Sequence, residues 1–314
     1  MKKKAIIISI KGPTLSAREK QLISKEKPWG IILFKRNIKS LAQIKKLIQV
    51  IKKNAKDKKF PVLIDEEGSR VSRLKDLINN EIDANFFGNI YKKDKKFALS
   101  LYKNYLKSLC KNLTNIGISI NTIPVLDVLR KNTSNVIGKR SFSENKHIVK
   151  QLGEITIKEC ISNKILSVIK HIPGHGCAKT DSHFTLPIVN LKKNILNNID
   201  FYPFKGTSAK LAMTAHILYS KIDSKNVATF SNKIIKDIIR KKIGFKGIIM
   251  SDDISMKALK YDLITNAKKS LAAGCNLVLY CSGNIKDNLK LIKSVPFIDK
   301  FTSKKTSEIY KILR

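Results

Sequence analysis

The 314-residue chain carries 62 Lys and Arg against 24 Asp and Glu, a formal charge of +38, and 43% of its residues are hydrophobic. That apolar share is enough for a full core and excludes a disordered chain. No apolar run approaches the roughly 18 residues that span a bilayer, and the opening apolar run 5–10 ends at Lys11-Gly12-Pro13 without a small-residue cleavage site, so neither a membrane span nor a signal peptide is expected.

Apolar runs of strand length alternate with helix-like stretches along the whole chain. Residues 5–10 read as a first strand, followed by a helix opening near Ser16 and a second strand at 30–34. A helix at 40–53 precedes a strand at 61–64 that ends in Asp65-Glu66-Glu67-Gly68. A long helix at 96–112 leads to strands at 117–120 and 123–126, the latter ending in Asp127 with Arg130 and Arg140 beyond. A helix at 147–162 is followed by a strand at 165–169 ending in Lys170-His171. Further strands are expected at 211–214, 247–251 and 276–280, and further helices at 231–241, 265–273, 285–293 and 307–313.

Strands that are unbroken apolar runs are strands buried on both faces, as in parallel sheets. About eight candidates, a length close to the ~250 residues of a (β/α)8 barrel plus insertions, and no Gly-rich nucleotide loop after any strand favour a TIM-type barrel over an open doubly wound sheet. With no internal repeat or linker, one catalytic domain over residues 1–314 is expected. Charged groups end nearly every strand, and in a barrel those ends share one rim.

The most informative of these ends is 170–183, KHIPGHGCAKTDSH, which holds three of the five histidines. Pro173, Gly174 and Gly176 stop the strand and forbid a helix. Asp181 and His183 are two apart, so in an extended loop both side chains point the same way. Asp181 can then hold the imidazole in one tautomer and make His183 a proton shuttle, the alternative being a Ser/Asp turn with a spectator His. After the strand at 247–250, only one of Asp252 and Asp253 can face the barrel interior. Asp252 suits a nucleophile, base or metal ligand, and Asp253 suits the cap of a following helix. Asp65 can accept from sugar hydroxyls, and Arg73 can bind hydroxyls or a carboxylate, unless the two pair to fix their loop.

Two chemistries follow from these residues. In one, Asp252 attacks an anomeric carbon while His183 protonates the leaving oxygen. In the other, His171, His175, His183 or His216 joins Asp252 around a hydrolytic metal, although no HxH or HExxH spacing supports it. The charge does not imply a nucleic-acid partner. Only 8 of the 62 basic residues are Arg, and the lysines are spread in pairs such as Lys52-Lys53 and Lys92-Lys93. Five irregularly spaced cysteines without a CxxC pair fit a reducing, cytoplasmic setting.

KHIPGHG followed by DSH resembles the KHFPGHG…DSH signature of glycoside hydrolase family 3. It resembles in particular the single-domain β-N-acetylglucosaminidases of bacterial peptidoglycan recycling. GIILFKRNI, DEEGSRVSR, VLDV…NVIGKRSF, MTAHILY, FKGIIMSDDISM and AAGCNLVL stand in the same order. The resemblance implies a (β/α)8 enzyme that removes terminal β-GlcNAc, typically from GlcNAc-(1,6-anhydro)MurNAc with or without peptide. It implies Asp252 as nucleophile, His183 with Asp181 as the acid/base pair, and Asp65, Arg73, Arg140, Lys170 and His171 as sugar contacts. It implies no metal or cofactor. No membrane partner is expected, and a monomer is. A non-catalytic sugar-binding relative is the remaining alternative, disfavoured because all three catalytic candidates are present. Cys177-Ala178-Lys179-Thr180 matches no motif of the family.

Overall fold

A computed structural model describes residues 2–313. Eight parallel strands close a barrel in the order β1-β10-β9-β7-β5-β4-β3-β2. They are β1 (Lys4–Ile8), β2 (Pro28–Leu33), β3 (Val62–Ile64), β4 (Ile120–Asn121), β5 (Leu166–Ile172), β7 (Leu211–Thr214), β9 (Ile248–Asp253) and β10 (Leu277–Tyr280). Two further short strands, β6 (Ile188–Val189) and β8 (Leu218–Tyr219), pair with each other outside the barrel.

Alternation along each strand divides the core in two. Ile7, Leu63, Ile120, Leu166, Val168, Leu211, Ile248 and Leu277 fill the barrel interior. Ile6, Ile8, Ile31, Val62, Ile64, Ile169 and Ile249 face outward into the layer shared with the helices. This double burial is why the strand sequences lack polar alternation.

The helices are α1 (Ala17–Glu26), α2 (Leu41–Ala55), α3 (Ala84–Lys93), α4 (Lys95–Ile116), α5 (Lys146–Ser162), α6 (Lys193–Asn198), α7 (Leu263–Ala273), α8 (Ile285–Ser294) and α9 (Lys300–Ile312). Ser16 and Glu19 close a capping box at the start of α1. Gly117, at φ 93°, ends α4.

Some expected elements differ. The strands at 117–120 and 123–126 reduce to Ile120–Asn121 plus a single bridge between Val125 and Lys170. Pro124, without an N–H, cannot continue the ladder. The helix at 231–241 is a π-helical stretch, Ile234–Lys242. The last helix begins at Lys300, capped by Asp299, rather than at 307. Its Lys-rich first half hides the apolar spacing. No helix opens at Asp253: α7 starts at Leu263 under an Asp262 cap. Asp253 instead accepts from Ser255 N at 3.0 Å and Ser255 Oγ at 2.7 Å, closing a tight turn.

Candidate active site

The carboxyl ends of the strands surround a cavity with about 610 Å³ of empty space counted out to its mouth. Its lining brings together Asp65, Arg73, Arg140, Lys170, His171, His183 and Asp252, which come from four strand ends and the loops that follow them. A barrel rim is where such separated residues can converge.

On one wall, β3 delivers Asp65 and Glu67. Asp65 accepts from Arg73 Nη2 at 2.8 Å and from Thr122 Oγ1 at 2.5 Å, with Lys170 Nζ 3.7 Å away. Burial alone raises the pKa of this carboxyl, but the charges of Lys170 and Arg73 prevail and hold it far below its ordinary value. The Asp65–Arg73 pair thus fixes its loop while both groups still border the cavity, so the two expectations for them are compatible. Beneath them, the fully buried Glu66 accepts from Arg73 N, Leu74 N, Ser72 Oγ and Asn80 Nδ2 and pins the loop. Gly68 has φ 150°, and a Cβ there would meet Ile82 O at 2.4 Å.

Glu67 is the member of this wall to which no sequence pattern gave a role. It accepts from Lys170 Nζ at 2.5 Å and from Arg140 Nε and Nη2 at 2.7 and 2.9 Å. Burial opposes its charge, yet Arg140 and Lys170 draw its pKa down to about 2. Three acidic residues in succession at 65–67 signalled charge at this strand end. What the sequence could not show is that Glu66 turns inward to the loop while Glu67 turns to the cavity.

On the next wall, β5 presents Lys170 and His171. His171 Nδ1 donates to Asp127 Oδ2 at 2.7 Å. His175 is buried, its Nδ1 has no partner among the described residues, and burial, aided by the nearby His171, lowers its pKa to about 4. The ring is therefore uncharged at neutral pH.

At the end of β9, Asp252 faces the cavity and Asp253 faces away, as the strand alternation requires. Burial raises the Asp252 pKa, but the facing His216 and His171 outweigh it, and the carboxyl stays below its ordinary value. Asp253, by contrast, is pushed up by burial. The two neighbours are thus separated in both direction and acidity. His216 Nε2 donates to Asp253 O at 3.0 Å, and its Nδ1 accepts from Thr229 Oγ1 at 2.7 Å, so both ring nitrogens are occupied. Among the described residues, no three His, Cys, Asp or Glu side chains are grouped as metal ligands.

His183 stands on the rim, with 59% of its side chain exposed. The contact to Asp181 forms through a turn rather than an extended loop. Asp181 Oδ1 accepts from His183 N at 2.9 Å and from Nδ1 at 2.8 Å, and Phe184 N returns to Asp181 O. Nδ1 is thereby committed to Asp181, and Nε2 is the atom left for proton transfer. The loop carrying this pair is fastened by Thr133 Oγ1 to Gly176 O at 2.6 Å and by Ser134 N to Ala178 O at 2.9 Å.

A buried carboxylate and a rim imidazole around a cavity walled by charged hydrogen-bonding groups are an arrangement that can serve hydrolysis of a polar ligand. Comparison with known proteins makes this specific. The glycosyl hydrolase family 3 N-terminal domain profile matches residues 3–305, and the chain belongs to that family. It is 33% identical over 282 residues to a β-hexosaminidase of Nitrosomonas eutropha, covering 88% of this chain and 80% of that one. It is 34% identical over 274 residues to a β-hexosaminidase of Neisseria meningitidis, covering 85% and 75%. NagZ of Neisseria gonorrhoeae, solved in complex with N-trifluoroacetyl-D-glucosamine, superposes with TM-score 0.87 at 30% identity, covering 98% of this chain and 90% of that one. The chain is a glycoside hydrolase with the β-hexosaminidases as its relatives, and its (β/α)8 barrel is the fold expected. No helix among the described residues is long and apolar enough to cross a membrane.

Proposed function

We propose that the protein is a retaining exo-β-N-acetylglucosaminidase that removes non-reducing-terminal GlcNAc from peptidoglycan fragments such as GlcNAc-anhydroMurNAc. The supporting observation is that Asp252 and His183, 69 positions apart by their numbers, border the same cavity. Asp65, Arg73, Arg140, Lys170 and His171 also line it. The preference for GlcNAc is supported by the β-hexosaminidase relatives and by the N-trifluoroacetyl-D-glucosamine bound in the gonococcal protein. The peptidoglycan aglycone rests on the motif resemblance, and the charge of +38 suits an anionic fragment.

In this reading one Asp252 oxygen attacks the anomeric carbon as the glycosidic C–O bond breaks. His183 Nε2–H passes its proton to the departing oxygen, and Asp181 stabilises the ring through Nδ1. Water then attacks the glycosyl-Asp252 ester, giving its proton to His183 Nε2, and Asp252 leaves as carboxylate. An imidazole acid avoids placing a second anion against the nucleophile, which must stay ionised. The ion-paired wall groups meet the sugar hydroxyls and hold the ring in one orientation.

The test is hydrolysis of an aryl β-GlcNAc beside an aryl β-glucoside, with the first-formed product followed by NMR. The β-anomer of GlcNAc, released from the first substrate and lost in Asp252→Ala, is expected. The α-anomer as first product, or undiminished activity of Asp252→Ala, would sink the mechanism. Muropeptide preference is read from kcat/KM on GlcNAc-anhydroMurNAc against chitobiose, and its fall with added salt reports the charge contribution.

A further inference from the structure

Asp127 follows the bridge at Val125 on the continuation of β4, is fully buried, and does not itself border the cavity. Its carboxylate collects three N–H groups from one short stretch. Oδ2 accepts from His171 Nδ1 at 2.7 Å, while Oδ1 accepts from His175 N at 2.6 Å and His171 N at 3.2 Å. Among the described residues no Lys or Arg pairs with it. The geometry points to Asp127 as a positioning residue: it fixes the hydrogen of His171 on Nδ1, leaves Nε2 as the atom presented to the sugar, and ties the root of the loop bearing Asp181 and His183 to the barrel. This inference rests on the reading above that His171 meets a sugar hydroxyl.

An ionised carboxylate only accepts, so His171 must carry its hydrogen on Nδ1 whatever the charge of the ring. Burial favours the protonated acid, but His171 and the surrounding donors prevail and keep the Asp127 pKa below its ordinary value. His171 Nε2 has no hydrogen-bond partner in the protein among the described residues, and the ring borders the cavity. Its acceptor or donor character is therefore set from behind by Asp127.

The substitution Asp127→Asn separates this role from simple packing. Oδ1 holds two backbone N–H groups, so the amide must keep its oxygen there. Its NH2 then falls opposite His171 Nδ1, donor against donor. A neutral ring relieves this by moving its hydrogen to Nε2, which turns the sugar-facing atom from acceptor to donor at almost constant volume.

The experiment is two-bond ¹H–¹⁵N NMR on histidine-labelled protein, with His171 assigned from His171→Gln, beside kcat/KM on an aryl β-GlcNAc. The expected result is an Nδ1-protonated His171 in the wild type, the Nε2–H tautomer in Asp127→Asn, and a fall in kcat/KM on the order of 10²-fold in that variant. A neutral wild-type His171 with its hydrogen on Nε2 would overturn the inference, as would an Asn variant with unchanged tautomer and rate. A merely structural role lowers the unfolding midpoint without moving the tautomer. Should Asp127→Asn fail to fold, the wild-type spectrum alone decides. An inactive wild type with the expected tautomer instead counts against the functional reading.

Discussion

Glu67 and Arg140 meet in a two-point ion pair, at 2.7 and 2.9 Å, with each side chain less than a tenth exposed and Lys170 Nζ 2.5 Å from the same carboxylate. Two cations of the cavity wall are thus held by one buried acid. Removing it leaves Arg140 without a carboxylate partner and Lys170 with only Asp65, 3.7 Å away, so Glu67→Ala is expected to cost about 3–5 kcal/mol of stability, read from denaturant unfolding. Its folded pKa, about 2, lies below the ordinary 4.5. A depressed carboxyl stabilises fully above its unfolded pKa and loses that contribution as pH falls. Between pH 4.5 and 2 the wild type should therefore lose stability more steeply than Glu67→Gln. Parallel slopes for the two proteins in that window would refute this assignment.

His183→Ala should harm a substrate with a poor leaving group far more than an activated aryl glycoside. A leaving group that needs no proton does not need the acid, and such catalysis is typically worth about 10²–10⁴-fold. The check is the ratio of kcat/KM losses on chitobiose and on a nitrophenyl glycoside. Equal losses would remove His183 from the acid role. The same side chain is exposed on the rim, so its replacement should leave the unfolding midpoint almost unchanged.

Much of this site was readable in the chain because barrel strands announce their own ends. The buried runs before Asp65, Lys170 and Asp252 fixed which charged residues share a rim, and strand alternation separated Asp252 from Asp253. What sequence could not supply was the pairing among them. Glu66 and Glu67 are adjacent acids with opposite duties, one holding a loop and one holding Arg140 and Lys170. Asp127 was visible only as a strand end, because its partners lie 44 and 48 positions away. Local pattern reading also misjudged the turn at 181–184, where one carboxylate oxygen binds both the amide and the ring of His183. The fourth strand shrank because Pro124 interrupts its ladder, a local effect, whereas its closure into the barrel depends on neighbours far along the chain.

Gly176 carries a close approach that no larger residue allows. A Cβ at this position would stand 1.8 Å from Val128 O, a backbone atom that cannot step aside. Gly176 O is also the acceptor that anchors the loop to Thr133. Gly176→Ala should displace the Asp181–His183 arm while leaving the barrel folded. The expected reading is a loss in kcat on the order of 10-fold or more, with little change in the circular dichroism of the barrel. Retained kcat would show that the arm tolerates movement at its root.

At the opposite end of the barrel, Lys3 Nζ reaches Asp57 Oδ2 at 2.8 Å and Tyr310 OH at 2.5 Å, and Tyr310 OH donates to the same Asp57 oxygen at 2.6 Å. Trp29 Nε1 adds a buried bond of 2.9 Å to Thr306 Oγ1. These contacts dock α9 across the barrel floor, far from the charged rim. Burial disfavours the charge of Asp57, but its bonds to Lys3 and Tyr310 win and lower its pKa. Its contribution is thus present above the ordinary carboxyl range and fades as pH falls below it. Asp57→Asn should lower stability at neutral pH by about 1–3 kcal/mol, since it leaves a buried ammonium poorly paired. A double-mutant cycle with Tyr310→Phe should give less than additive losses, because both residues serve one network. Since neither Asp57 nor Tyr310 lines the cavity, kcat/KM on an aryl β-GlcNAc should stay at the wild-type value in the folded protein. Strict additivity would show that Asp57 and Tyr310 do not serve one network, and a loss of activity without loss of stability would show that the floor and the rim are not independent.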